Sequence, residues 1–220
     1  MTELNRAISA TENLAAIVAQ INRSTVQIKS QGLGIGSGVI WRSQLIITNS
    51  HVIGSSSVTV ELSDGRLLDA TCLHRDPQWD LAALEVKADL PVATIGDSAA
   101  VRVGELVLAV GHPLGVVGAV TTGIIHAIGT TANQRWLQAD IRLAAGNSGG
   151  PLADAQGRVI GINTAIARGL ALAVPSQAVV SFLSLKLPHL EATSQPLDLL
   201  RAQLSFAACL PRTTQETETA

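Results

Sequence analysis

A serine in a glycine-rich turn is the first candidate for chemistry in this sequence. Residues 146–152 read Gly-Asn-Ser-Gly-Gly-Pro-Leu, and the glycines permit backbone angles that are closed to residues with a Cβ. Such a turn exposes the hydroxyl of Ser148 as a nucleophile and aims backbone amides at one point. We predict an oxyanion hole in the backbone of Gly146, Asn147 and Ser148, with the amides of Gly146 and Ser148 as its donors. Glycine and serine clusters are usually ordinary loops, so the prediction needs a base and an acid.

A histidine and an aspartate upstream supply that base and acid. His51 follows the apolar, β-branched run Leu-Ile-Ile-Thr that begins at residue 45, where a strand ends and a side chain is held rigidly. Asp80 directly precedes a second apolar run, so its carboxylate enters the interior only with a partner such as an imidazole N–H. We predict that His51 takes the proton of Ser148 during nucleophilic attack, while Asp80 orients the imidazole and stabilises its charged form.

Other interpretations of these motifs fit less well. Glycines alternate from residue 32 to 38, but the run lacks the Lys-Ser/Thr ending of a phosphate-binding loop and no helix follows it. Ser148 leads into Gly-Gly-Pro, which differs from the Gly-x-Ser-x-Gly elbow and following helix of esterases. His112 is a second candidate base, but it lies in a glycine and proline turn beyond the strands around His51, so we interpret it as a loop histidine.

The composition argues against several classes of function. A formal net charge of −2 over 220 residues gives no electrostatic basis for binding nucleic acid or an anionic membrane. No apolar run approaches the roughly 18 residues of a membrane span. The first residues do not form a secretory signal, so we expect a cytoplasmic protein unless a targeting segment has been removed. Cys72 and Cys209 lack Cys-x-x-Cys spacing, which argues against a disulfide framework or a zinc site, and we expect no metal or organic cofactor.

Short apolar strands must position these residues. They form one series up to residue 86 and a second from residue 106, and residues 87–103 cross between them. No long helical pattern interrupts either series, so the sequence predicts antiparallel barrels and not βαβ units. The glycines from 32 to 38 are predicted as a turn. The predicted strands cover residues 24–29, 39–41, 45–48, 58–62, 67–74, 81–86, 106–110, 120–128, 136–141, 152–153, 159–165 and 170–174.

Helical patterns flank the strands. Apolar residues recur at helical spacing over residues 13–21, which predicts a short leading helix capped by Thr11 or Asn13. A second helix is predicted over residues 177–187, where Pro188 ends it.

The wider sequence around the three residues identifies a family. His51, Asp80 and Ser148 follow one another in the order of chymotrypsin-type proteases. Over roughly residues 23–185 the chain closely resembles the protease domain of the HtrA (high-temperature-requirement) family of trypsin-like serine proteases. The resembling segments are residues 36–40, 48–53, 76–86, 95–98, 103–115, 120–125, 146–152 and 157–165.

This resemblance implies an all-β, chymotrypsin/trypsin-like fold of two six-stranded antiparallel β-barrels, with a short N-terminal helix and a C-terminal helix. It implies a helical segment over 1–22, the protease domain over 23–187 and an extension over 188–220, with the site in the cleft between the barrels. Most family members carry a PDZ peptide-binding domain after the protease, and the 33 residues after residue 187 are too few for one. In that extension we expect an amphipathic helix near 197–204 and a disordered final octet.

The resemblance also implies an ATP-independent serine endopeptidase that cleaves unfolded or damaged polypeptides through an acyl-enzyme. Its substrate pocket corresponds to Leu143, Leu170, Ala171 and Leu172, which are aliphatic and carry no acid, so we expect cleavage after apolar residues. Asn147 stands where digestive trypsins have the aspartate that binds a new N-terminus, which implies that N-terminal cleavage does not switch the site on. The alternative function is a catalytically silent, chaperone-like or scaffolding module of the same fold.

Family protease domains commonly form trimers through N-terminal segments. This chain offers Leu14, Ile17, Val18 and Ile21 there as apolar anchors. The same side chains could instead pack on their own barrel, and the segment lacks the aromatic residues that often anchor such trimers. A homotrimer and a monomer whose helix covers the barrel are therefore both open.

Overall fold

Twelve strands of the described chain close into two barrels. The computed structural model describes residues 3–30, 34–131 and 134–188. The first barrel contains β1 (Thr25–Ser30), β2 (Gly34–Arg42), β3 (Leu45–Thr48), β4 (Ser57–Glu61), β5 (Leu67–Asp76) and β6 (Leu81–Val86). The second contains β7 (Leu106–Gly111), β8 (Ala119–Thr131), β9 (Gln134–Asp140), β10 (Pro151–Asp154), β11 (Val159–Ala167) and β12 (Leu170–Pro175).

The strand order of each barrel agrees with the expected fold. It runs β1-β2-β3-β6-β5-β4 in the first barrel and β10-β11-β12-β9-β8-β7 in the second, and each ring is closed. Every pairing between these strands is antiparallel. The predicted pair of six-stranded antiparallel barrels is confirmed.

Aliphatic side chains fill both barrels. Each fully buried Val, Leu or Ile contributes about 1.5–3 kcal/mol relative to an exposed one, so these cores hold the strand ends firmly. The core of the first barrel includes Val26, Ile28, Ile40, Ile46, Val60 and Leu84. The core of the second includes Val107, Ile125, Leu137, Leu152 and Ile160.

The leading helix is longer than predicted. Helix α1 spans Glu3–Arg23, so Thr11 and Asn13 lie inside it and neither is its cap. Apolar periodicity marks only the part of a helix that packs on something, whereas residues 3–10 contain good helix formers and neither glycine nor proline. Ile21 is buried against the second barrel, and three half-buried residues of α1 pack on the same cluster. The cluster comprises Ile21, Leu108, Val110 and Ala153, with Leu14, Ile17 and Val18 at its edge.

The alternating glycines form a strand and not the predicted turn. From Gly34 onward they belong to β2, which pairs with β1. A Cβ at Gly36 would lie 2.5 Å from Val52 Cγ1, and one at Gly38 would lie 2.7 Å from Ile46 Cγ2. Glycine is required here because neighbouring side chains approach the backbone closely. The close approach seats the residues after β3, which include His51, directly against β2. Gly32 lies outside the described residues.

The second helix, α2, spans Ser176–Lys186, one residue from the predicted start and end. Neither α1 nor α2, the α-helices of the described residues, has an apolar stretch long enough to cross a membrane. The helix and the disordered octet predicted after residue 188 lie outside the described residues.

Candidate active site

The predicted base and acid are in direct contact. His51 lies in a 3₁₀ turn, Ser50–Val52, that follows β3. Its ring Nδ1 donates to Asp80 Oδ2 over 2.7 Å, and its backbone amide donates to Asp80 Oδ1 over 3.0 Å. Because an ionised carboxylate only accepts hydrogen bonds, the ring proton belongs on Nδ1, and Nε2 is left as the acceptor. The His51 side chain is 51% exposed, so Nε2 is accessible to a reacting group.

The backbone at Asp80 has an uncommon conformation. Its φ of +53° lies in the left-handed region, which aspartate tolerates better than most residues with a Cβ. The Asp80 carbonyl accepts hydrogen bonds from the Ser50 amide (3.1 Å) and from Asn49 Nδ2 (2.8 Å). The nearby Asp76 carboxylate instead accepts from the amides two and three residues later, which shapes the turn before β6. Asp80 is thus the acid that reaches His51.

Thr164 completes the environment of Asp80, and sequence reasoning missed it. Its Oγ1 donates to Asp80 Oδ2 over 2.5 Å, across 84 residues of sequence. Thr164 lies where the pairing of β11 with β12 shifts register, between Asn163 and Ala165. Such a bulge leaves one residue outside the regular ladder and can turn its side chain toward a site. The sequence carries no local signal for this bulge, since Ile-Asn-Thr-Ala reads as ordinary strand.

The candidate nucleophile lies beside this network. Ser148 is half-buried, and its Oγ donates to the carbonyl oxygen of Thr164 over 3.4 Å. Among the described residues no hydrogen bond joins Ser148 Oγ to His51. The structure therefore brings His51 and Asp80 into contact and brings Ser148 to Thr164, the residue that also contacts Asp80.

The hydrogen bonds of this site shift the pKa of both the base and the acid. The hydrogen bond with Asp80 raises the pKa of His51 above 6.5, although partial burial opposes the shift. Burial of the Asp80 carboxyl opposes its ionisation, but the hydrogen bonds from His51 and Thr164 outweigh burial and lower the pKa of Asp80. At neutral pH Asp80 is therefore a carboxylate.

The turn before the nucleophile presents two free amides. Gly146 has φ +103°, and the Asn147 amide donates to the Ala144 carbonyl over 3.0 Å. The Asn147 carbonyl accepts from the Gly150 amide over 3.0 Å. The amides of Gly146 and Ser148 donate to no other described residue. Of the three residues predicted for an oxyanion hole, Gly146 and Ser148 thus retain available donors, whereas the Asn147 amide is already used.

The predicted pocket residues divide between two faces. Leu143 packs against the core of the second barrel, and Ala171 is 2% exposed within that core. Leu170 and Leu172 are half-buried at alternate positions of β12, so their side chains point to the opposite face. Their role in substrate binding stays a prediction.

The other described histidines and the described cysteine lie away from the contact between His51 and Asp80 or are inaccessible. His112 is 2% exposed, and its burial lowers the pKa of the imidazole to about 4, so it cannot serve as an accessible base. His74 packs against the ring of Phe182, and Cys72 is a half-buried free thiol. Cys209 and His189 lie outside the described residues. No group of three or more histidine, cysteine, aspartate or glutamate side chains in the described ranges is placed to hold a metal ion.

The two antiparallel barrels, with a histidine and an aspartate from the first and a glycine-flanked serine from the second, define a trypsin-like peptidase domain. The family model described as "Trypsin-like peptidase domain" matches residues 36–162. HhoB of Synechocystis sp., described as "Putative serine protease HhoB", is 43% identical over 158 residues, and the match covers 66% of this chain and 38% of HhoB. The periplasmic serine endoprotease DegP of Salmonella typhimurium is 34% identical over 189 residues, and the match covers 79% of this chain and 40% of DegP.

Solved structures give the same class. The HtrA-type protease AlgW with a bound tripeptide superposes with a TM-score of 0.75 at 34% identity, covering 80% of this chain and 64% of AlgW. Its complex with a decapeptide gives a TM-score of 0.74 at 30% identity, covering 80% and 68%. The chain belongs to the HtrA family of trypsin-like serine proteases. It spans about two fifths of the length of the curated relatives it matches.

Proposed function

We propose that this protein is a serine endopeptidase in which Ser148 attacks the substrate carbonyl, His51 moves the proton and Asp80 orients His51. The observation that carries the proposal is the 2.7 Å contact between His51 Nδ1 and Asp80 Oδ2, which leaves His51 Nε2 free. Thr164 joins this contact to the turn of Ser148, which has two free amides. A serine hydroxyl is a weak nucleophile at neutral pH, and a positioned base is what activates it.

The reaction proceeds through an acyl-enzyme. The hydroxyl of Ser148 leaves the Thr164 carbonyl and donates to His51 Nε2, which takes its proton as Oγ bonds to the carbonyl carbon. The amides of Gly146 and Ser148 bind the carbonyl oxygen while it carries negative charge, and one such donor is typically worth about 10²–10³ in rate. The His51 imidazolium then gives its proton to the leaving amine, and a water activated by His51 releases the acid product.

The proposed substrates are unfolded or damaged polypeptides cut after aliphatic residues. Two considerations support this class: the aliphatic character of Leu143, Leu170 and Leu172, which are only partly buried, and the peptide ligands of the related AlgW structures. No ATP is required, because the bond is broken by hydrolysis and the unfolded chain needs no extraction.

A digest of casein with mass spectrometry of the cut sites tests both statements. We expect cleavage after Val, Ile, Leu or Ala, and none with Ser148→Ala at equal protein concentration and equal unfolding temperature. Cleavage at the wild-type rate by Ser148→Ala would exclude Ser148 as the nucleophile. Cuts mainly after Lys or Arg would contradict the aliphatic pocket.

The alternative function is a catalytically silent, chaperone-like module, and a fluorophosphonate label separates it from a peptidase. An activated serine is modified covalently, whereas an unactivated serine is not. We expect one label per chain on wild type and none on Ser148→Ala. Suppression of casein aggregation without labelling or cleavage would favour the silent module.

Two further proposals concern the oligomeric state and the cellular location of the protein. A homotrimer competes with the packing of Ile21, Ile17 and Val18 on the second barrel of the same chain, which already uses part of the apolar face of α1. Light scattering of the chain with and without residues 1–22 distinguishes trimer from monomer.

A cytoplasmic location is the other proposal, and fractionation of cells that express the protein tests it.

A further inference from the structure

A buried polar cluster lies directly behind the nucleophile turn and outside the proposed triad. It consists of Ser37 from β2 of the first barrel and His112, which follows β7 of the second. Ser37 is 0% exposed and His112 is 2% exposed. Buried hydroxyl and imidazole groups are costly unless their hydrogen bonds are made, so the partners of these two side chains indicate what they do.

Ser37 holds the turn on both sides of Asn147. Its hydroxyl donates to the Gly146 carbonyl over 2.7 Å, and its backbone amide donates to the Ser148 carbonyl over 2.8 Å. The Ser37 carbonyl in turn accepts from Thr48 Oγ1 over 2.6 Å. A single residue of the first barrel therefore anchors two carbonyls of the second-barrel turn.

His112 contacts the Ser37 hydroxyl through two nitrogen atoms. The His112 backbone amide lies 3.0 Å from Ser37 Oγ, and the ring Nδ1 lies 3.1 Å from the same oxygen. A hydroxyl has one proton and two acceptor sites. With the proton donated to Gly146, both acceptor sites are filled by His112 if its ring carries a proton on Nδ1. In the other neutral tautomer the hydroxyl would have to choose between Nδ1 and the Gly146 carbonyl.

The turn has no room to move toward this cluster. A Cβ at Gly146 would lie 2.3 Å from the His112 carbonyl oxygen, and one at Gly149 would lie 2.1 Å from the Ser37 carbonyl oxygen. Backbone thus packs on backbone on this side. The free amides of Gly146 and Ser148 belong to peptide groups adjacent to the ones that Ser37 holds.

We propose that Ser37 is a positioning residue that fixes the Gly146 and Ser148 amides as an oxyanion hole, and that His112 keeps the Ser37 hydroxyl donating to Gly146. This inference rests on the proposed peptidase function. Desolvation keeps His112 neutral at neutral pH, since its pKa lies near 4. At neutral pH the tautomer of the His112 imidazole, and not its charge, therefore determines whether the Ser37 hydroxyl donates to the Gly146 carbonyl.

The test compares Ser37→Ala with Ser176→Ala. Ser176 is a matched control because it is 2% exposed and its hydroxyl also donates to a glycine carbonyl over 2.7 Å, that of Gly96, away from the nucleophile turn. Both variants lose one buried hydroxyl-to-carbonyl bond and should lose similar stability. We expect Ser37→Ala to lower kcat for an aliphatic peptide substrate by about 10²-fold with KM unchanged, as for a lost oxyanion donor, and Ser176→Ala to keep kcat near wild type.

Inhibitor affinity gives a readout that a general loss of stability does not move. A peptide aldehyde adds the Ser148 hydroxyl to its carbonyl carbon, so its oxygen occupies the oxyanion hole, whereas the matching peptide alcohol binds without that contact. Ser37→Ala should weaken the aldehyde by about 10²-fold and leave the alcohol unchanged. His112→Leu should lower kcat in the same direction, and His112→Asn, whose amide can donate to Ser37, should restore it. An equal loss of kcat in Ser37→Ala and Ser176→Ala, or an unchanged aldehyde affinity, would overturn the proposal.

Hydrogen exchange separates this proposal from the proposed function. If wild type neither cleaves nor labels, the peptidase assignment fails, but the anchoring of the turn is still measurable. Exchange of the amides in residues 142–152, followed by mass spectrometry, should be faster in Ser37→Ala than in wild type or Ser176→Ala. Identical exchange in all three proteins would show that Ser37 does not hold the turn.

Discussion

The two barrels hold their parts of the site in different ways. In the first barrel, side chains hold side chains: His51 and Asp80 contact each other, and Thr164 reaches Asp80 from the second barrel. In the second barrel, the backbone itself is held: the carbonyls of the turn around Ser148 accept hydrogen bonds from the hydroxyl and the amide of Ser37, and the turn is packed too tightly for a side chain at Gly149.

This difference indicates which contacts of the proposed catalytic site are already formed in the structure. His51 and Asp80 already have the contact that the proposed mechanism requires. Ser148 instead donates to the Thr164 carbonyl, so the proposed mechanism requires that its bond to His51 forms when substrate binds or the turn adjusts. Variants of His51, Asp80 or Thr164 should therefore act through proton transfer, and variants of the turn around Ser148 or of Ser37, which holds it, should act through geometry.

The largest expected effect tests the contact between the side chains of His51 and Asp80. Asp80→Asn should lower kcat for peptide cleavage by about 10⁴-fold, because an amide cannot hold the His51 tautomer that leaves Nε2 free. The control is Asp69→Asn, an exposed aspartate on the same barrel that should leave kcat unchanged. A loss below about tenfold for Asp80→Asn would contradict the orienting role.

The pH profile of the wild type adds to this test. Cleavage requires neutral His51, whose pKa is raised by its hydrogen bond with Asp80, so kcat/KM should rise with pH through a midpoint above 6.5. The midpoint should fall in Asp80→Asn, because the bond that stabilises the imidazolium is lost.

The next effect tests the packing of the backbone in the turn around Ser148. Gly149→Ala should lower kcat by about 10³-fold, because a Cβ 2.1 Å from the Ser37 carbonyl must displace the turn and its oxyanion donors. Gly104→Ala is the matched control, since Gly104 also has positive φ, +90° against +84°, but nothing lies within 4 Å of its Cβ position. It should lose only about 1–2 kcal/mol of unfolding free energy and keep its activity. Equal activity in the two variants would indicate that the turn tolerates displacement.

The third effect concerns His112 and the free energy of unfolding. Its pKa is about 4 in the folded chain because burial disfavours its charged form, and 6.5 is its ordinary value. Below pH 6.5 the unfolded chain binds a proton that the folded chain does not, so stability is full above pH 6.5 and falls as pH drops toward 4. The difference amounts to about 3 kcal/mol, by the conversion of 1.36 kcal/mol per pKa unit.

Urea unfolding at several pH values checks this prediction. His112→Asn has no titrating group at that position, so its stability should fall less steeply than that of wild type between pH 6.5 and 4. Parallel curves for the two proteins would show that His112 does not titrate in this range.

The smallest effect tests the contact between the barrels. Thr164→Val removes the hydroxyl bonded to Asp80 at similar volume and should lower kcat about tenfold, the equivalent of roughly 1.4 kcal/mol for one hydrogen bond to a charged group. Thr164→Ser keeps the hydroxyl and should stay near wild type. If both variants lose equal activity, packing of the methyl group and not the hydrogen bond explains the loss.

Local patterns in the sequence were sufficient for much of this arrangement. Alternating apolar residues and turn signals gave the strands of both barrels, and the contexts of His51 and Asp80 gave their contact. Both signals are local, because a strand pattern and the residue at its end lie within a few positions of each other.

The features that sequence reasoning missed depend on distant contacts. Thr164 reaches Asp80 through a register shift that no residue type announces, and Ser37 and His112 meet across 75 residues. The glycines of β2 looked like a turn because the side chains that need the space, Val52 and Ile46, lie elsewhere in the chain. The first turns of α1 were missed because periodicity reports packing and not helix propensity.

The bulge at Thr164 divides β11 into two parts. The number of residues before Thr164 affects its position, whereas the residues after it can be changed. The hydroxyl of Thr164 donates to Asp80 of the first barrel, and its carbonyl accepts from Ser148 of the second, so the position of Thr164 affects both barrels' parts of the site. Deleting one residue before it would slide the strand by about 3.4 Å and turn its side chain to the other face, and both contacts would be lost together. Beyond Thr164, we expect that the β11–β12 turn at Arg168 and Gly169 can change length without moving Thr164. We therefore expect that residues near Leu170 and Leu172, which follow Thr164 in the chain, can be exchanged without changing the contacts of Thr164 with Asp80 and Ser148.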